Sequence, residues 1–453
     1  MNNYIKFICL LTFALLISSC EKSLEELNVD PNNPTEVSLN LLLPELQTQS
    51  AFNEGTNPNR VAGIVVQQLI GLDAQQLGYN GYILNSSTMN NFWNTGLFSG
   101  TLRSANLLMN TSDERPFYGS VAKIYMANEL GKATSMFGDM PYTEAFQGTD
   151  NLKPSYDSQE AIYGTIQRLL DEAISEFSAG SAGYFGGDLV FGGVQSSWIQ
   201  TAQGLKARYY LQTSKRNPGD MNLAAAAAAK SFQSNAEASG FQFEVSETAN
   251  WALAKFGIER PSTLGVNTAF AESLDGDPRQ PVLTSFDGTQ WTFFDGAEGN
   301  LIWGRSDAKV PIISYVELLF IQAEAAAASG GDASGLLKQA IEASFELSGV
   351  VDTVGYADDK SADGSIANVV TEAYKAYFGF NFHESWANWR RTGFPSLTPS
   401  SVCSDNGFNP SCAVPQRYLY AESEKQTNSA NVDAAISAQG GELLDVSLWA
   451  FRD

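Results

Sequence analysis

The feature that most restricts the fold of this chain is a stripe of apolar residues at helical spacing. The stripe consists of Ile162, Ile166, Leu169, Leu170, Ala173, Ile174 and Phe177. Such spacing places side chains on one face of an α-helix. Asp157 stands three residues before Glu160, which resembles a capping box and predicts that the helix begins there. The sequence therefore predicts an amphipathic helix with one buried face.

Further segments have the same character and predict a mostly α-helical chain. Residues 197–215 carry apolar and aromatic residues on one side, and the alanines at 224–229 favour close helix packing. Residues 314–348 contain two helical stretches separated by a glycine-rich break, which resembles a tetratricopeptide unit in length. Because no exact internal repeat occurs, we expect helical hairpins and not a regular array.

The composition limits the possible partners. The chain has 50 Asp and Glu against 27 Lys and Arg, so its formal net charge is −23. Nucleic acids and anionic membrane surfaces are bound through clustered Lys and Arg, so neither partner is expected. His383 is the only histidine, which excludes a metal centre built from several histidines.

The first twenty residues have the pattern of an export signal. Lys6 precedes an apolar stretch, Phe7 to Ile17, that is too short to span a bilayer. The sequence Ile17-Ser18-Ser19-Cys20 resembles a bacterial lipobox, which predicts a signal peptide over residues 1–19 and lipidation of the Cys20 thiol. Two or more acyl chains anchor a protein stably. The alternative is an ordinary secretory signal with an incidental cysteine.

Two further cysteines fit an exported protein. Cys403 and Cys412 enclose a short, turn-rich stretch that contains Gly407 and Pro410. In an oxidising compartment a disulfide is the default, and it contributes about 2–3 kcal/mol through loop entropy. A metal site is not favoured, because no histidine lies nearby in the sequence.

Residues from about 241 to 309 have a different composition, rich in Gly, Asp, Asn, Pro and aromatic residues, with little helical period. A long irregular region in a helical protein usually has a function. Residues 395–432 form a second loop-rich stretch. Neither stretch has the composition of a flexible linker, so residues 20–453 are predicted to form a single domain.

Several short motifs are spread over nearly the whole chain. They are Asp30-Pro31-Asn32-Asn33-Pro34-Thr35, Leu41-Leu42-Leu43-Pro44, Leu102-Arg103-Ser104-Ala105-Asn106-Leu107-Leu108, Phe137-Gly138-Asp139-Met140-Pro141-Tyr142, Asp275-Gly276-Asp277-Pro278-Arg279, Ala323-Glu324-Ala325 and Trp389-Arg390-Arg391-Thr392-Gly393-Phe394-Pro395. In this order and behind a lipobox, they resemble the SusD/RagB family of nutrient-binding outer-membrane lipoproteins of Bacteroidetes.

The resemblance implies a SusD-like fold, in which tetratricopeptide-like helical hairpins pack against a loop-rich ligand-binding region. It also implies a binding protein without catalytic machinery or cofactor. Such proteins bind oligosaccharides at the cell surface, where a lipid anchors them in the outer membrane and they cover a SusC-like TonB-dependent transporter. Part of the family handles peptides, so a peptide-binding member is an alternative.

An extracellular glycan-degrading lipoprotein is the alternative from a different functional class. A glycosidase needs two carboxyl groups about 5–9.5 Å apart. Fifty acidic residues supply such pairs by chance, so their presence is uninformative. No Gly-x-Ser-x-Gly elbow, Walker loop or dinucleotide fingerprint occurs. The sequence therefore favours binding over catalysis.

A structural calcium ion is the one inorganic ligand that the sequence suggests. Asp275 and Asp277, with Glu272 nearby, have the oxygen ligands that Ca²⁺ takes in proteins. The alternative is an Asp-rich turn closed by Pro278.

The aromatic residues of the irregular stretches are the candidates for contact with a sugar. A pyranose has an apolar face, which flat rings match, and a rim of hydroxyls, which polar side chains hydrogen-bond. Trp291 and Trp303 are predicted to be the principal stacking platforms. The other predicted contacts are Tyr79, Tyr82 and Phe294 as further rings and Asp73, Gln76, Asp295 and Arg305 as hydroxyl partners. The alternative for any of the rings is that it fills a gap beneath a loop.

The charge of the chain predicts a neutral ligand. A net charge of −23 repels sulfated and uronic-acid polymers unless a local basic cleft intervenes, and no Lys or Arg cluster appears between residues 241 and 309. The acidic, lysine-poor composition suits a saline habitat, where neutral algal β-glucans are abundant. A laminarin-like β-glucan is therefore the first ligand expected.

The lipobox generates the first testable prediction. Cys20→Ala is expected to release the protein from membranes or to block its maturation, because the thiol that accepts the lipid is absent. Cys9→Ala changes only the predicted signal peptide and serves as the matched control. Membrane fractionation and incorporation of labelled fatty acid measure the outcome, and label on the Cys20→Ala protein would contradict the lipobox.

Overall fold

The helical periodicity of the sequence is realised as α-helices along most of the chain. The structure is a computed structural model that describes residues 38–238, 240–403 and 407–452. The predicted signal peptide, residues 1–19, and Cys20 lie outside the described residues. In this described part, no helix is both long enough and apolar enough to cross a bilayer.

The helices are given in chain order. Those of the first half are α1 (Leu39–Asn53), α2 (Asn57–Val65), α3 (Ala74–Asn80), a π-helix (Phe92–Thr101), α4 (Leu102–Thr111), α5 (Pro116–Phe137), a 3₁₀ turn (Gly148–Asp150), α6 (Gln159–Ser178), α7 (Gln195–Thr213) and α8 (Asp220–Ala228). Those of the second half are α9 (Ala252–Glu259), α10 (Thr268–Ser273), α11 (Gln280–Leu283), α12 (Tyr315–Ala328), α13 (Ser334–Ser348), α14 (Tyr356–Ser361), α15 (Ile366–Ala376), α16 (Phe382–Thr392), α17 (Glu422–Thr427), α18 (Ser429–Ala438) and a 3₁₀ turn (Trp449–Phe451).

The described strands are short and form three antiparallel pairs. These are β1 (Leu69–Gly71) with β3 (Leu264–Val266), β2 (Gly240–Gln242) with β6 (Lys309–Pro311), and β4 (Ser285–Phe286) with β5 (Trp291–Thr292). Leu69 is opposite Val266 in the first pair, so a segment near the N-terminus lies beside the irregular region. Two of the pairs join residues that are far apart in sequence, and the single domain of residues 20–453 stays a prediction.

Consecutive long helices pack as hairpins, which confirms the predicted mostly α-helical class. Helix α5 packs on α6, α6 on α7, α7 on α8, and α12 on α13. The predicted apolar stripe is the buried face of α6, where Ile162, Ile166 and Leu170 have no exposed surface. The glycine-rich break at residues 330–332 separates α12 from α13, as the sequence predicts.

The start of α6 differs from the prediction by one residue. Ser158 is the N-cap, and its hydroxyl accepts a hydrogen bond from the Ala161 amide at 3.2 Å. The Asp157 carboxylate instead accepts bonds from the Tyr142 and Thr143 amides at 3.0 and 2.8 Å. Asp157 therefore closes the turn after residues 137–141, a contact across the chain that local spacing does not reveal.

The irregular region contains short elements and is joined to the helical hairpins through Arg279. The Arg279 guanidinium is fully buried, pairs with Asp277 at 2.6 Å and Glu372 of α15 at 3.2 Å, and donates to Ser344 of α13 at 2.9 Å. Both Asp277 oxygens accept bonds from Arg279. Removing one partner of a buried ion pair typically costs about 3–5 kcal/mol.

This pairing bears on the predicted calcium site. The Asp277 carboxylate is directed at Arg279, and Asp275 lies exposed on the preceding turn. Among the residues that the structure describes, no group of three or more His, Cys, Asp or Glu is arranged to hold a metal ion. The contact with Arg279 accounts for the Asp277 carboxylate, and a calcium ion at this turn stays a prediction.

The second loop-rich stretch is closed covalently. Cys403 and Cys412 form a disulfide, with their Cα atoms 5.8 Å apart. Within this stretch the Ser400 amide donates to the Tyr82 hydroxyl at 3.0 Å, which joins the stretch to the loop after α3.

The single histidine gives a prediction for stability. His383 is buried in α16, and burial, with the positive charges of Lys132, Arg390 and Arg208, lowers its pKa to about 3. The folded protein therefore holds His383 neutral, and the stability that this contributes is lost as the pH falls below the unfolded pKa of about 6.5. Between about pH 7.5 and 5.5, the free energy of unfolding is expected to fall by about 1.4 kcal/mol more in the wild type than in His383→Gln.

Denaturant unfolding at the two pH values measures this difference. Glu129 and Glu384, whose pKa values burial raises to about 7, change stability in the opposite direction over this range. Both glutamates are present in the wild type and in the variant, so the comparison isolates His383. An equal pH dependence in the two proteins would contradict the assignment.

Candidate functional site

A cavity of about 470 Å³ lies where three distant parts of the chain meet. This site cavity is lined by Asn57 and Arg60 of α2, by Ala74, Gln75, Gln76, Ser87, Thr88, Asn90, Asn91 and Phe92 of α3 and the following loop, and by Phe256, Arg260 and Thr263 at the end of α9. Its volume falls in the range of about 300–1,000 Å³ that is typical of small-molecule sites.

The cavity wall formed by α3 is held in place by hydrogen bonds at both ends of this helix. The Leu72 amide donates to the Thr263 carbonyl at 2.8 Å, which joins this wall to the residues after α9. Asn80 exchanges two hydrogen bonds with the backbone of Gly71, at 2.8 and 2.6 Å. Only glycine fits at position 71, because the Cβ atom of any other residue would lie 1.8 Å from the Gln76 carbonyl oxygen.

The loop after α3 is held by side chains of its own and by α17. The Asn85 carboxamide oxygen accepts bonds from the Ser87 amide at 3.0 Å and hydroxyl at 2.7 Å. The Ser86 hydroxyl accepts a bond from Lys425 of α17 at 2.7 Å. Asn57 of α2 donates to the Thr88 carbonyl at 2.9 Å, which closes the loop against the neighbouring wall.

Two residues at or beside the cavity lining have strained backbone conformations. Ala74 lines the cavity with φ of 49°, and Ser262, beside Thr263, has φ of 60°. Left-handed conformations cost residues other than glycine about 1–3 kcal/mol, and they cluster at ligand-binding and catalytic sites. Two such residues, close to the bond from the Leu72 amide to the Thr263 carbonyl that joins the two walls, support the assignment of this cavity as the functional site.

The centre of the cavity wall is an arginine stacked on a phenyl ring. The Arg60 guanidinium carbon lies 4.1 Å from the centroid of the Phe256 ring, and its Nη1 donates to the Gly55 carbonyl at 2.6 Å. Burial lowers the pKa of Arg60 to about 10; Tyr79 partly offsets this decrease, and the positive charge of Arg260 adds to it. Because this pKa is still well above 7, Arg60 is charged at neutral pH. Within the described residues, the buried Nε of Arg60 and Oε1 of Gln76 have no hydrogen-bond partner.

One of the predicted contact residues lines this cavity, and a second is adjacent to the lining in sequence. Gln76 lines it and is 4% exposed. Asp73 is the N-cap residue of α3, adjacent to Ala74 in sequence, and its exposed side chain lies outside the lining.

Three of the aromatic rings that were predicted to contact a sugar are buried in the structure. Tyr79 and Tyr82 are each 2% exposed, and the Tyr82 hydroxyl is used by the Ser400 amide. Trp303 is 6% exposed, with its ring centroid 4.6 Å from that of Phe380. These rings fill space beneath loops, because the surrounding segments cover them in three dimensions. Tyr79 and Tyr82 are thus not open platforms in this structure, whereas Trp303 lines a smaller cavity of about 250 Å³ away from the site cavity.

The remaining predicted residues lie on a separate part of the irregular region. Trp291 of β5 is half-buried, and its ring lies 5.4 Å from that of the exposed Phe286. Phe294 packs on Gly257 of α9. The Asp295 carboxylate accepts bonds from the Asn300 and Leu301 amides and thus shapes a turn.

Arg305 has a similar structural role. Its guanidinium forms a two-pronged ion pair with Asp307, with both N–O distances 2.8 Å. It also donates to the Gly299 carbonyl at 3.2 Å. The structure does not bring Arg305, Asp295, Trp291 or Trp303 into the lining of the site cavity.

Sequence reasoning missed Arg60, Phe256 and Arg260. Arg60 lies in an ordinary helical segment, and nothing in its neighbourhood indicates a ligand. Arg260 stands in Arg260-Pro261-Ser262, a turn signal within the irregular region that marks an exposed loop. The two arginines are 200 positions apart, so a search for runs of basic residues cannot pair them.

Glu129 and Glu384, two buried carboxyl groups whose pKa is raised to about 7, lie outside the lining of the site cavity. Glu129 accepts hydrogen bonds from Ser50 at 2.7 Å and Thr101 at 3.1 Å beneath the helices. The space beside Glu384 is about 10 Å³, which holds at most one water molecule. A sugar therefore has no access to either group. Burial raises both pKa values, and the neighbouring Glu317 carboxylate raises that of Glu384 further.

Comparisons with known proteins agree with this architecture. The SusD-like family model described as "Starch-binding associating with outer membrane" matches residues 31–421. A structure described as a "chitin-binding protein" is 23% identical with a TM-score of 0.76, over 92% of this chain and 100% of that chain. A SusD/RagB family protein from Bacteroides thetaiotaomicron is 20% identical with a TM-score of 0.73, over the same shares.

A chitin-binding SusD homologue from Flavobacterium johnsoniae is 19% identical with a TM-score of 0.73, over 91% of this chain and 99% of that chain. At these identities the likeness shows a common fold. No curated protein matches the chain significantly.

The placement of the rings predicts which substitutions affect stability. Trp303→Ala is expected to lower the free energy of unfolding by about 3–5 kcal/mol, as for other buried Trp and Phe side chains. Phe286→Ala, at a side chain that is 53% exposed, is expected to cost less than about 1 kcal/mol. Denaturant unfolding measures both. An unchanged stability of Trp303→Ala would contradict its placement in the core.

Proposed function

The chain belongs to the SusD-like family, and from this premise we propose that it captures oligosaccharides at the cell surface for a SusC-like TonB-dependent transporter. The observation that carries the proposal is the site cavity. It combines amide and hydroxyl groups with two guanidinium groups and two phenyl rings in a volume of about 470 Å³. Polar groups of these kinds hydrogen-bond a sugar rim, and rings contact its apolar face.

The proposed location follows from the sequence and the family. The family description places its members in association with the outer membrane. A lipid on Cys20 is the proposed anchor, and the transporter is the proposed partner that receives the ligand.

The proposal also covers the kind of glycan that the protein binds. The net charge predicts a neutral β-glucan such as laminarin, and this stays a prediction. Chito-oligosaccharides belong in the same panel because two structural relatives are described as chitin-binding. Malto-oligosaccharides belong there because the family description names starch.

Binding without hydrolysis is part of the proposal. The mature protein, incubated with each oligosaccharide of the panel, is expected to generate no new reducing ends. New reducing ends would favour the alternative, a glycan-degrading lipoprotein. A peptide pool, titrated beside the glycans, tests the second alternative, a peptide-binding member of the family.

Calorimetric titration of the panel, extended by alginate oligosaccharides, tests the site. Phe256→Ala is expected to weaken the best ligand about tenfold or more, because it removes a ring from the lining and the support of Arg60. Phe185→Ala is the matched control, since Phe185 also lies beneath a guanidinium, that of Arg115 at 4.4 Å, but outside the cavity. Equal affinity of Phe256→Ala and Phe185→Ala, with both folded, would contradict the site.

A further inference from the structure

We infer that the site cavity recognises an acidic sugar, with the carboxylate of a uronic acid held between Arg60 and Arg260. The inference rests on the proposed function and names the ligand class of the same site. It departs from the neutral β-glucan that the net charge predicts.

The first observation is the sign of the charges at the cavity. Among the described residues, those that line it include Arg60 and Arg260 but no aspartate or glutamate. The chain as a whole has 50 acidic against 27 basic residues, so the cavity is opposite in sign to the average of the molecule. A cleft lined by one sign of charge concentrates ions of the other sign.

The second observation is that these two arginines have no carboxylate partner. Arg260 is exposed and makes no side-chain hydrogen bond or ion pair within the described residues. Arg60 contacts a carbonyl and the Phe256 ring. The charged and titratable neighbours that act on Arg60 are Tyr79 and Arg260, and no carboxylate is among them.

Other arginines of this acidic chain, unlike Arg60 and Arg260, are paired with carboxylates. Five of them form ion pairs with carboxylates: Arg168 with Glu172, Arg208 with Glu317, Arg279 with Asp277, Arg305 with Asp307, and Arg391 with Glu324. Acidic partners are thus abundant and are used elsewhere. Two arginines that face one cavity repel each other, and an anionic ligand relieves this repulsion.

The third observation concerns the chemistry of the lining. A guanidinium presents a planar fork of N–H donors that matches a carboxylate, often through two parallel hydrogen bonds. The buried Nε of Arg60 is such a donor without a partner. The amides of Asn57, Gln76 and Asn90 remain for sugar hydroxyls, because each amide group can both donate and accept.

The negative charge of the rest of the molecule does not cancel this local field. At physiological ionic strength, charges more than about 8 Å apart across solvent are largely screened. The two guanidinium groups line the cavity and act directly on a bound carboxylate, whereas the nearest carboxylates by sequence, Asp73 and Glu259, are exposed to solvent outside the lining.

A pair of matched ligands tests the inference. Alginate oligosaccharides carry a carboxylate on every sugar, and carboxyl reduction converts each carboxylate to a neutral CH₂OH group on the same chain. The mature wild-type protein is expected to bind the native oligosaccharide about tenfold or more tightly than the reduced one, because charge-assisted hydrogen bonds are stronger than neutral ones. Higher salt is expected to weaken only the binding of the native oligosaccharide.

Two variants connect this preference with the cavity. Arg260→Gln and Arg60→Gln are each expected to lower the affinity for native alginate oligosaccharide about tenfold and that for the reduced form clearly less, because only the native form offers a carboxylate to the guanidinium. Arg216→Gln, at an exposed arginine after α7, makes the same change in net charge away from the cavity. It is expected to bind both ligands as the wild type does. Because Arg260 is exposed, Arg260→Gln keeps the test valid if Arg60→Gln fails to fold.

The outcomes separate this inference from the proposed function. Equal affinity for the native and reduced oligosaccharides, or an unchanged affinity in Arg260→Gln, would overturn the acidic-sugar inference. Tight binding of laminari- or chito-oligosaccharides with no binding of alginate would overturn it too, while leaving the proposed function intact. Failure of the wild type to bind any glycan of the panel would overturn both.

Discussion

The fully buried guanidinium of Arg279, paired with Asp277 two residues before it, is the polar contact that joins the irregular region to the helical hairpins. The same guanidinium reaches Glu372 of α15 and Ser344 of α13, and Phe270 of the irregular region packs against Tyr374 of α15 beside it. The irregular region also contains the cavity wall at the end of α9, followed by β3 and α10. The contacts of Arg279 and Phe270 thus connect the region that carries this wall to the helical hairpins.

The site cavity is a product of long-range assembly. The β1–β3 pair and the bond from Leu72 to Thr263 bring residues near position 70 beside residues near position 265. Arg60, stacked on Phe256, then joins α2 to α9 across the same cavity. The resulting concentration of positive charge arises in a chain with a net charge of −23. Net charge describes the average surface, whereas recognition depends on charges within a Debye length of the ligand.

Local patterns in the sequence predict the helices because period and capping are properties of neighbouring residues. The stripe along α6 and the break between α12 and α13 were predictable in this way. The Asp157 carboxylate was not, because its partners lie 14 and 15 residues away. Trp303 and Tyr79 have sequence neighbours typical of loops, yet both are buried by segments distant in sequence, which composition cannot reveal. Gln76 was predictable at the cavity, whereas Arg60 and Arg260 become neighbours only in the fold.

The central claim is that the ligand lies between α2, the loop after α3 and the end of α9. Hydrogen–deuterium exchange of the mature protein, with and without the tightest-binding oligosaccharide of the panel at saturation, tests it directly. The account predicts slower exchange at residues 74–76, 87–92 and 256–263, with no change along the hairpin of residues 285–292. Slower exchange confined to that hairpin and the neighbourhood of Trp303, with residues 74–92 and 256–263 unchanged, would contradict it.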